Sequence, residues 1–172
     1  MEVPLIQTAR LTLRCPTVDD FPIYREFYSD AEASSFYGGP IDTAAAWRRL
    51  AFDIGHWALR GHGMWSVVER ASDRMIGGCG LLWPEGYPRS ELTWWILPAA
   101  RRQGFASEAS AAVIAFGYEV LGWSTIETHM KDENVAAHLL AARLGSRIIA
   151  REVFPDGIAR DVHAFPKPGS PR

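Results

Sequence analysis

Seven consecutive residues carry the clearest chemical signal in this sequence: Arg101-Arg102-Gln103-Gly104-Phe105-Ala106-Ser107. They lie between a strand-like segment and a long helical one, and Gly104 lets the backbone come close to a ligand. The first amides of a helix have no intrahelical acceptor, and the helix dipole reinforces them, so such a loop is a ready anion site. Arg101 and Arg102 add positive charge, modest in effect where it is exposed. Ala106 is small and keeps the turn open to a bulky diphosphate. The same residues also fit a plainer role, in which Gly104 only relieves a strand-to-helix turn.

Other chemistries lack their residues. No Gly-x-Ser-x-Gly, His-Glu-x-x-His or Walker-type loop occurs, which removes support for hydrolase, zinc-protease and nucleotide-triphosphatase readings. His56, His62 and His163 form no metal spacing with one another or with acids, so no metal is expected. Asp19-Asp20 reads as helix-start electrostatics. Cys15 and Cys79 are far apart and read as two free buried thiols in a reducing compartment.

The elements that must position the loop are legible from periodicity. Leu11–Arg14 alternates as a strand, and Thr17-Val18-Asp19-Asp20 opens a helix running to about Tyr28. Gly38-Gly39-Pro40 breaks the chain. Asp42 or Thr43 caps a second helix to about Leu59, with Trp47, Leu50, Ile54 and Trp57 on one stripe. Strands follow at Met64–Glu69, Met75–Leu82 and Glu91–Leu97. A helix over Ser107–Leu121 ends at Gly122, and Ser124–Met130 is a strand. Asn134–Leu144 is a helix closed by Gly145, and Pro155-Asp156-Gly157 joins two last strands, Arg147–Phe154 and Ala159–Phe165. Strands with connections too short for crossovers, followed by a strand-helix-strand unit, predict an α+β layer structure with a mixed, mostly antiparallel sheet. The tail Pro166–Pro171 is expected to fray.

The 172 residues suit one domain spanning 1–172, and a hydrophobic fraction of 48% fills one core. A net charge of −2 and a pI near 6.2 argue against nucleic-acid and membrane-surface partners. No apolar run is long enough for a bilayer and no signal-peptide pattern opens the chain, so a cytoplasmic location is expected. Seven Trp, eight Phe and five Tyr leave rings for both a core and an apolar-walled pocket.

Taken together, these residues resemble the GNAT superfamily of N-acetyltransferases, specifically its RimJ/RimL-like branch of ribosomal-protein alanine N-acetyltransferases. The resemblance runs through Thr8–Arg14, Gly38-Gly39-Pro40, Ile76–Leu81 and Glu91–Pro98. It continues through the Arg101–Ser107 loop to Asn134, eleven residues before Gly145. It implies the GNAT fold: about seven strands with helices on both faces, splayed between the fourth strand, ending near Leu97, and the fifth. It implies that acetyl-CoA enters that gap. The amides of Arg102, Gln103, Gly104, Phe105, Ala106 and Ser107 would hold its pyrophosphate, and the strand end at Ile96 and Leu97 would pair with pantetheine. Asn134 would bond the pantetheine side, cap the next helix, or do both.

Acetyl transfer needs a neutral amine, a stabilised oxyanion and a proton for the departing thiolate. Glu91, ten residues before Arg101, is the candidate base; alternation puts it on one face with Thr93 and Trp95, where aromatic packing would raise its pKa. The alternative is a strand-end carboxylate in a salt bridge with Arg89. The N–H of Ile96 or Leu97 would polarise the thioester carbonyl. Two donors common among the resembled proteins are missing, since Ala141 stands where many place a Tyr and Ala137 where RimL-like members often place a Ser. Water, or another donor such as His138, would have to serve. Otherwise the chain is a non-catalytic acyl-CoA-binding or regulatory module, or its loop binds some other diphosphate. The acceptor is left open between a protein N-terminus and a small-molecule amine, Trp47, Trp57, Trp65, Trp94 and Trp95 between acceptor site and core, and a homodimer remains open too.

Overall fold

The computed structural model describes residues 2–169, so positions 170–171 of the tail lie outside the described residues. Two antiparallel sheets form. The first has the order β1-β2-β3-β4-β5, from Ile6–Gln7, Leu11–Arg14, Met64–Glu69, Arg74–Leu82 and Glu91–Ile96. The second has the order β6-β8-β7, from Ile126–Met130, Ala159–Phe165 and Arg147–Val153. The break falls between β5 and β6, where the splay is expected. The extra strand, β1, pairs only Ile6 and Gln7 with Leu13 and Thr12, too short a segment to show a period.

Helices α1 (Phe21–Ser29) and α2 (Thr43–Arg60) cover one face of the large sheet, packing Tyr24, Phe27 and Leu50 against Met64, Trp95 and Leu97. The longer α3 (Phe105–Glu119) covers the other, packing Ala109, Val113 and Phe116 against Cys79, Leu81 and Leu92, and α4 (Val135–Arg143) adds Ala137 and Ala141. Strand β5 therefore sends alternate residues into different cores, Leu92, Trp94 and Ile96 to the α3 side and Trp95 to the other. Gly78 on β4 makes room for this: an added Cβ would stand 2.5 Å from the Trp95 indole nitrogen.

Two helix readings need correction. The first helix begins one 3-10 turn late, after Val18–Asp20, because Asp20 is drawn inward. Its carboxylate takes both Arg14 Nη atoms, the Thr17 amide and Ser66 Oγ at 2.6–2.9 Å, tying β2 to β3. In α2 the buried face is Ala46, Leu50, Asp53, His56 and Trp57. Trp47 is 47% exposed, edge-on to Phe21 at the surface, so it belongs to neither the stripe nor a pocket wall. Trp57 and Trp65 are core.

Candidate active site

The Arg101–Ser107 loop ends in Gly104, held left-handed at φ 83°, and α3 starts at Phe105 with no side-chain cap. The Glu108 amide is bonded to the Gly104 carbonyl, so the amides of Phe105, Ala106 and Ser107 precede the first helical bond. These residues line a cleft of about 550 Å³ together with Arg102, Ile96 and Asn134. Arg102 also has positive φ, 63°, which turns two successive bends of the backbone around this cleft. Arg10 braces the loop from outside: Nε meets Glu108 at 2.7 Å, Nη1 donates to the Gln103 carbonyl at 2.9 Å, and the guanidinium lies 4.6 Å over the Phe105 ring.

Arg101 lines the cleft with its guanidinium anchored to two backbone carbonyls. Its Nε donates to the Ile96 carbonyl at 3.1 Å and its Nη2 to the Ala33 carbonyl at 3.3 Å. Gln103 stays off the cleft wall, its carbonyl taken by Arg10. Leu97 also points elsewhere: its amide donates to the Ile76 carbonyl at 2.8 Å and its side chain joins the α1–α2 core. In an antiparallel pair the bonding direction alternates, so the amides of Ile96 and Trp94 face away from β4 into the gap. Of the two amides considered for the thioester carbonyl, Ile96 is the one the strand leaves available.

A second cavity, of about 250 Å³, lies on the other side of that edge and is walled by Glu91, Asp53, Arg49, His129 and Arg160 among others. Glu91 opens β5, with a side chain about a quarter exposed, and burial pushes its carboxyl up to about 8 against the pull of Arg160 and Arg49. The alternative for Glu91, a salt bridge to Arg89, does not form, because Arg89 is held by Glu127 at 2.9 Å and Glu152 at 2.6 Å. Instead Glu91 Oε2 stands 3.6 Å from His129 Nε2 on β6. Burial pushes His129 down to about 4, so it is neutral; its ring lies 3.8 Å from that of Phe154, and Nε2 has no hydrogen-bond partner among the described residues. Asp53 is buried, accepts from Tyr24 Oη at 2.8 Å, and is pushed up to about 7 by burial.

The cleft and the cavity share Phe36, Tyr37, Trp94, Asn134 and Ala137. Tyr37 Oη donates to the Trp94 carbonyl at 2.5 Å. With Arg101 on the Ile96 carbonyl, side chains occupy the acceptors that β6 would need to pair with β5, which is a physical reason for the splay. Asn134 accepts from the Ala137 amide at 3.3 Å as the N-cap of α4, so its capping role is present. Ala141 is fully buried in the core. His138 cannot replace the missing donors from where it stands: its ring lies 5.3 Å from that of His163, off both walls.

Asp53, Tyr37 and His129 do not stand out as site residues in the sequence. Asp53 had a signal, as a carboxylate three residues after Leu50 and four before Trp57 on an inward stripe. Tyr37 and His129 had none, since both arrive from separate segments only when the chain folds.

The comparisons with known proteins agree with this geometry. YoaA of Bacillus subtilis (strain 168), an uncharacterised N-acetyltransferase, is 26% identical over 170 residues, covering 94% of this chain and 95% of that protein. The acetyltransferase from Agrobacterium tumefaciens str. C58 has a crystal structure that superposes with a TM-score of 0.88 at 27% identity, covering 97% of this chain and 96% of that one. A RimL ribosomal-protein acetyltransferase solved in complex with coenzyme A shares the fold at a TM-score of 0.77 and 14% identity, covering 97% and 100%. Residues 10–147 match the family model for the acetyltransferase (GNAT) domain, and the chain therefore belongs to the GNAT family and is an acetyltransferase.

Proposed function

We propose that this protein transfers the acetyl group of acetyl-CoA to a primary amine by direct attack in a ternary complex. The observation that carries the reading is the meeting of the two cavities across the free edge of β5, at Tyr37, Trp94 and Asn134. The cleft suits the proposed co-substrate: uncapped amides at the α3 start suit a diphosphate, and the outward amides of Trp94 and Ile96 suit an extended amide-bearing arm. Small side chains at Ala106, Ala136 and Ala137 leave it width. When bound, acetyl-CoA supplies an activated acyl group as a thioester.

The chain's own residues then divide the work. Gly104 to Ser107 hold the diphosphate, Ile96 N–H donates to the thioester carbonyl, and Glu91 takes a proton from the amine on the opposite side of the strand edge. Among the described residues Tyr37 is the one titratable side chain common to both walls, and burial pushes its phenol up, so it holds a proton on Oη at the junction. In this reading Tyr37 Oη turns its proton from the Trp94 carbonyl to the departing thiolate, the role for which Ala137 and Ala141 offer no donor. The lining supports direct attack: among the described residues no cysteine borders either cavity, and Cys79 is fully buried with a thiol pushed up to about 12.

Calorimetry with acetyl-CoA and CoA, followed by thiol release over a panel of primary amines, tests this. Binding with turnover of at least one amine is expected. Binding without turnover on any amine would favour the non-catalytic acyl-CoA-binding module, and no binding at all would reassign the loop to another diphosphate.

A further inference from the structure

Arg49 is unusually placed for a helical arginine with an aspartate one turn ahead. Residues four apart on α2 share a face, and an Arg49–Asp53 ion pair would ordinarily form there. Asp53 is instead bonded to Tyr24 Oη at 2.8 Å, and no carboxylate lies within ion-pair distance of Arg49 among the described residues. The guanidinium lies 5.4 Å over the Tyr28 ring and uses one donor, Nη2, on the Tyr37 carbonyl at 3.4 Å. A guanidinium has five N–H donors in a planar fork that matches a carboxylate in two parallel bonds. This one borders the same cavity as Glu91.

The rest of the wall points the same way. Arg160 is already neutralised by Asp156 through both Nη atoms, and Lys131 adds a further cation. The acids offer little to a second ammonium group. Asp156 is paired, Asp53 is engaged by Tyr24, and Glu91 is the one carboxylate left to face an amine. At about 250 Å³ the cavity falls below the usual range for drug-sized ligands, which fits a small molecule better than an extended chain end.

We infer that the acceptor is a small amino acid, its carboxylate seated on Arg49 while its amine faces Glu91. This rests on the transferase reading above and narrows the acceptor from any primary amine to one bearing an acid group. The step balances: the acceptor ammonium gives one proton to Glu91, the freed amine nitrogen bonds to the acetyl carbon, the carbon–sulfur bond breaks, and the thiolate takes a proton from Tyr37 Oη, which the second nitrogen proton replaces.

The test uses matched compounds, a series of free amino acids with the carboxamide and the decarboxylated amine of each. In the wild-type protein kcat/KM for at least one acid should exceed that of its amide and amine by tenfold or more. Arg49→Gln should bring that ratio close to one by slowing the acid far more than its amide and amine, with acetyl-CoA affinity unchanged, and Arg49→Lys should retain part of it. Equal rates for acid and amide, faster turnover of polyamines or peptide N-termini, or a ratio unaffected by Arg49→Gln would each overturn the inference. Calorimetric binding of the same compounds to the CoA-saturated protein separates the two readings. An Arg49-dependent carboxylate preference without turnover upholds the subsite and overturns the transferase reading, whereas binding of neither acid nor amide overturns the subsite.

Discussion

The two cavities on either side of β5 are built from opposite materials. The cofactor-side cleft is lined by the 32–37 segment, β5, the Arg101–Ser107 loop and α4, and the groups proposed to work there are backbone amides steered by Gly104 and Arg102. The acceptor-side cavity is made of side chains from α2, β5, β6 and the β7–β8 hairpin, and several of them are ionisable. Backbone amides neither titrate nor vary with residue type, so the first cavity suits a constant partner. Side chains do both, so under the proposed function the second is where acceptor choice and pH dependence would be set. The contrast predicts that damage to the cleft changes affinity for acetyl-CoA, while damage to the cavity changes rate, acceptor choice or pH response.

The largest effect is expected on the acceptor side. Glu91→Gln should lower kcat by about 100-fold, the lower end for a lost general base, with acetyl-CoA affinity within error of wild type. A shared loss of rate and cofactor affinity would break the separation of the two cavities. Next comes the cleft. Gly104→Val forces a β-branched side chain into a left-handed backbone, at a cost of ~1–3 kcal/mol, so acetyl-CoA should bind roughly tenfold to hundredfold more weakly by calorimetry. Unchanged affinity would detach the loop from the cofactor.

The smallest effect concerns stability. Asp53 is held at about 7, above the ordinary aspartate value of 3.8. Between those values the folded state keeps a proton that the unfolded chain releases, so stability present below the lower value is lost as pH rises through the upper one. Glu91, held at about 8, adds a loss of the same sign. Asp53→Asn keeps an acceptor for Tyr24 and removes one of the two titrations. The fall in Tm from pH 5 to pH 8 should therefore be smaller than in the wild type, and an equal fall would place the proton elsewhere.

The same contrast explains what was legible in the sequence. The loop could be read because its residues are consecutive and its chemistry belongs to backbone and glycine. Most elements could be read because burial imposes its period on them, as in Leu11–Arg14 or along β5. The errors occurred where a polar side chain defeated the pattern: Asp20 moved inward to tie two strands, and Asp53 is buried on α2 while Ile54 beside it is only partly so. The acceptor cavity was hidden apart from Glu91. Tyr37, Arg49 and His129 come from three separate segments, and each looks ordinary in its own.

The most direct measurement of the central claim is the pH dependence of kcat/KM for the acceptor amine, compared between wild type and Glu91→Gln. Glu91 acts as a base only when ionised, so the wild-type rate should climb through a limb near pH 8 and level off above it. The Gln variant should lack that limb and run slower throughout. The same limb in both proteins would show that the titrating group is not Glu91 and that the cavity beside β5 does not house the base.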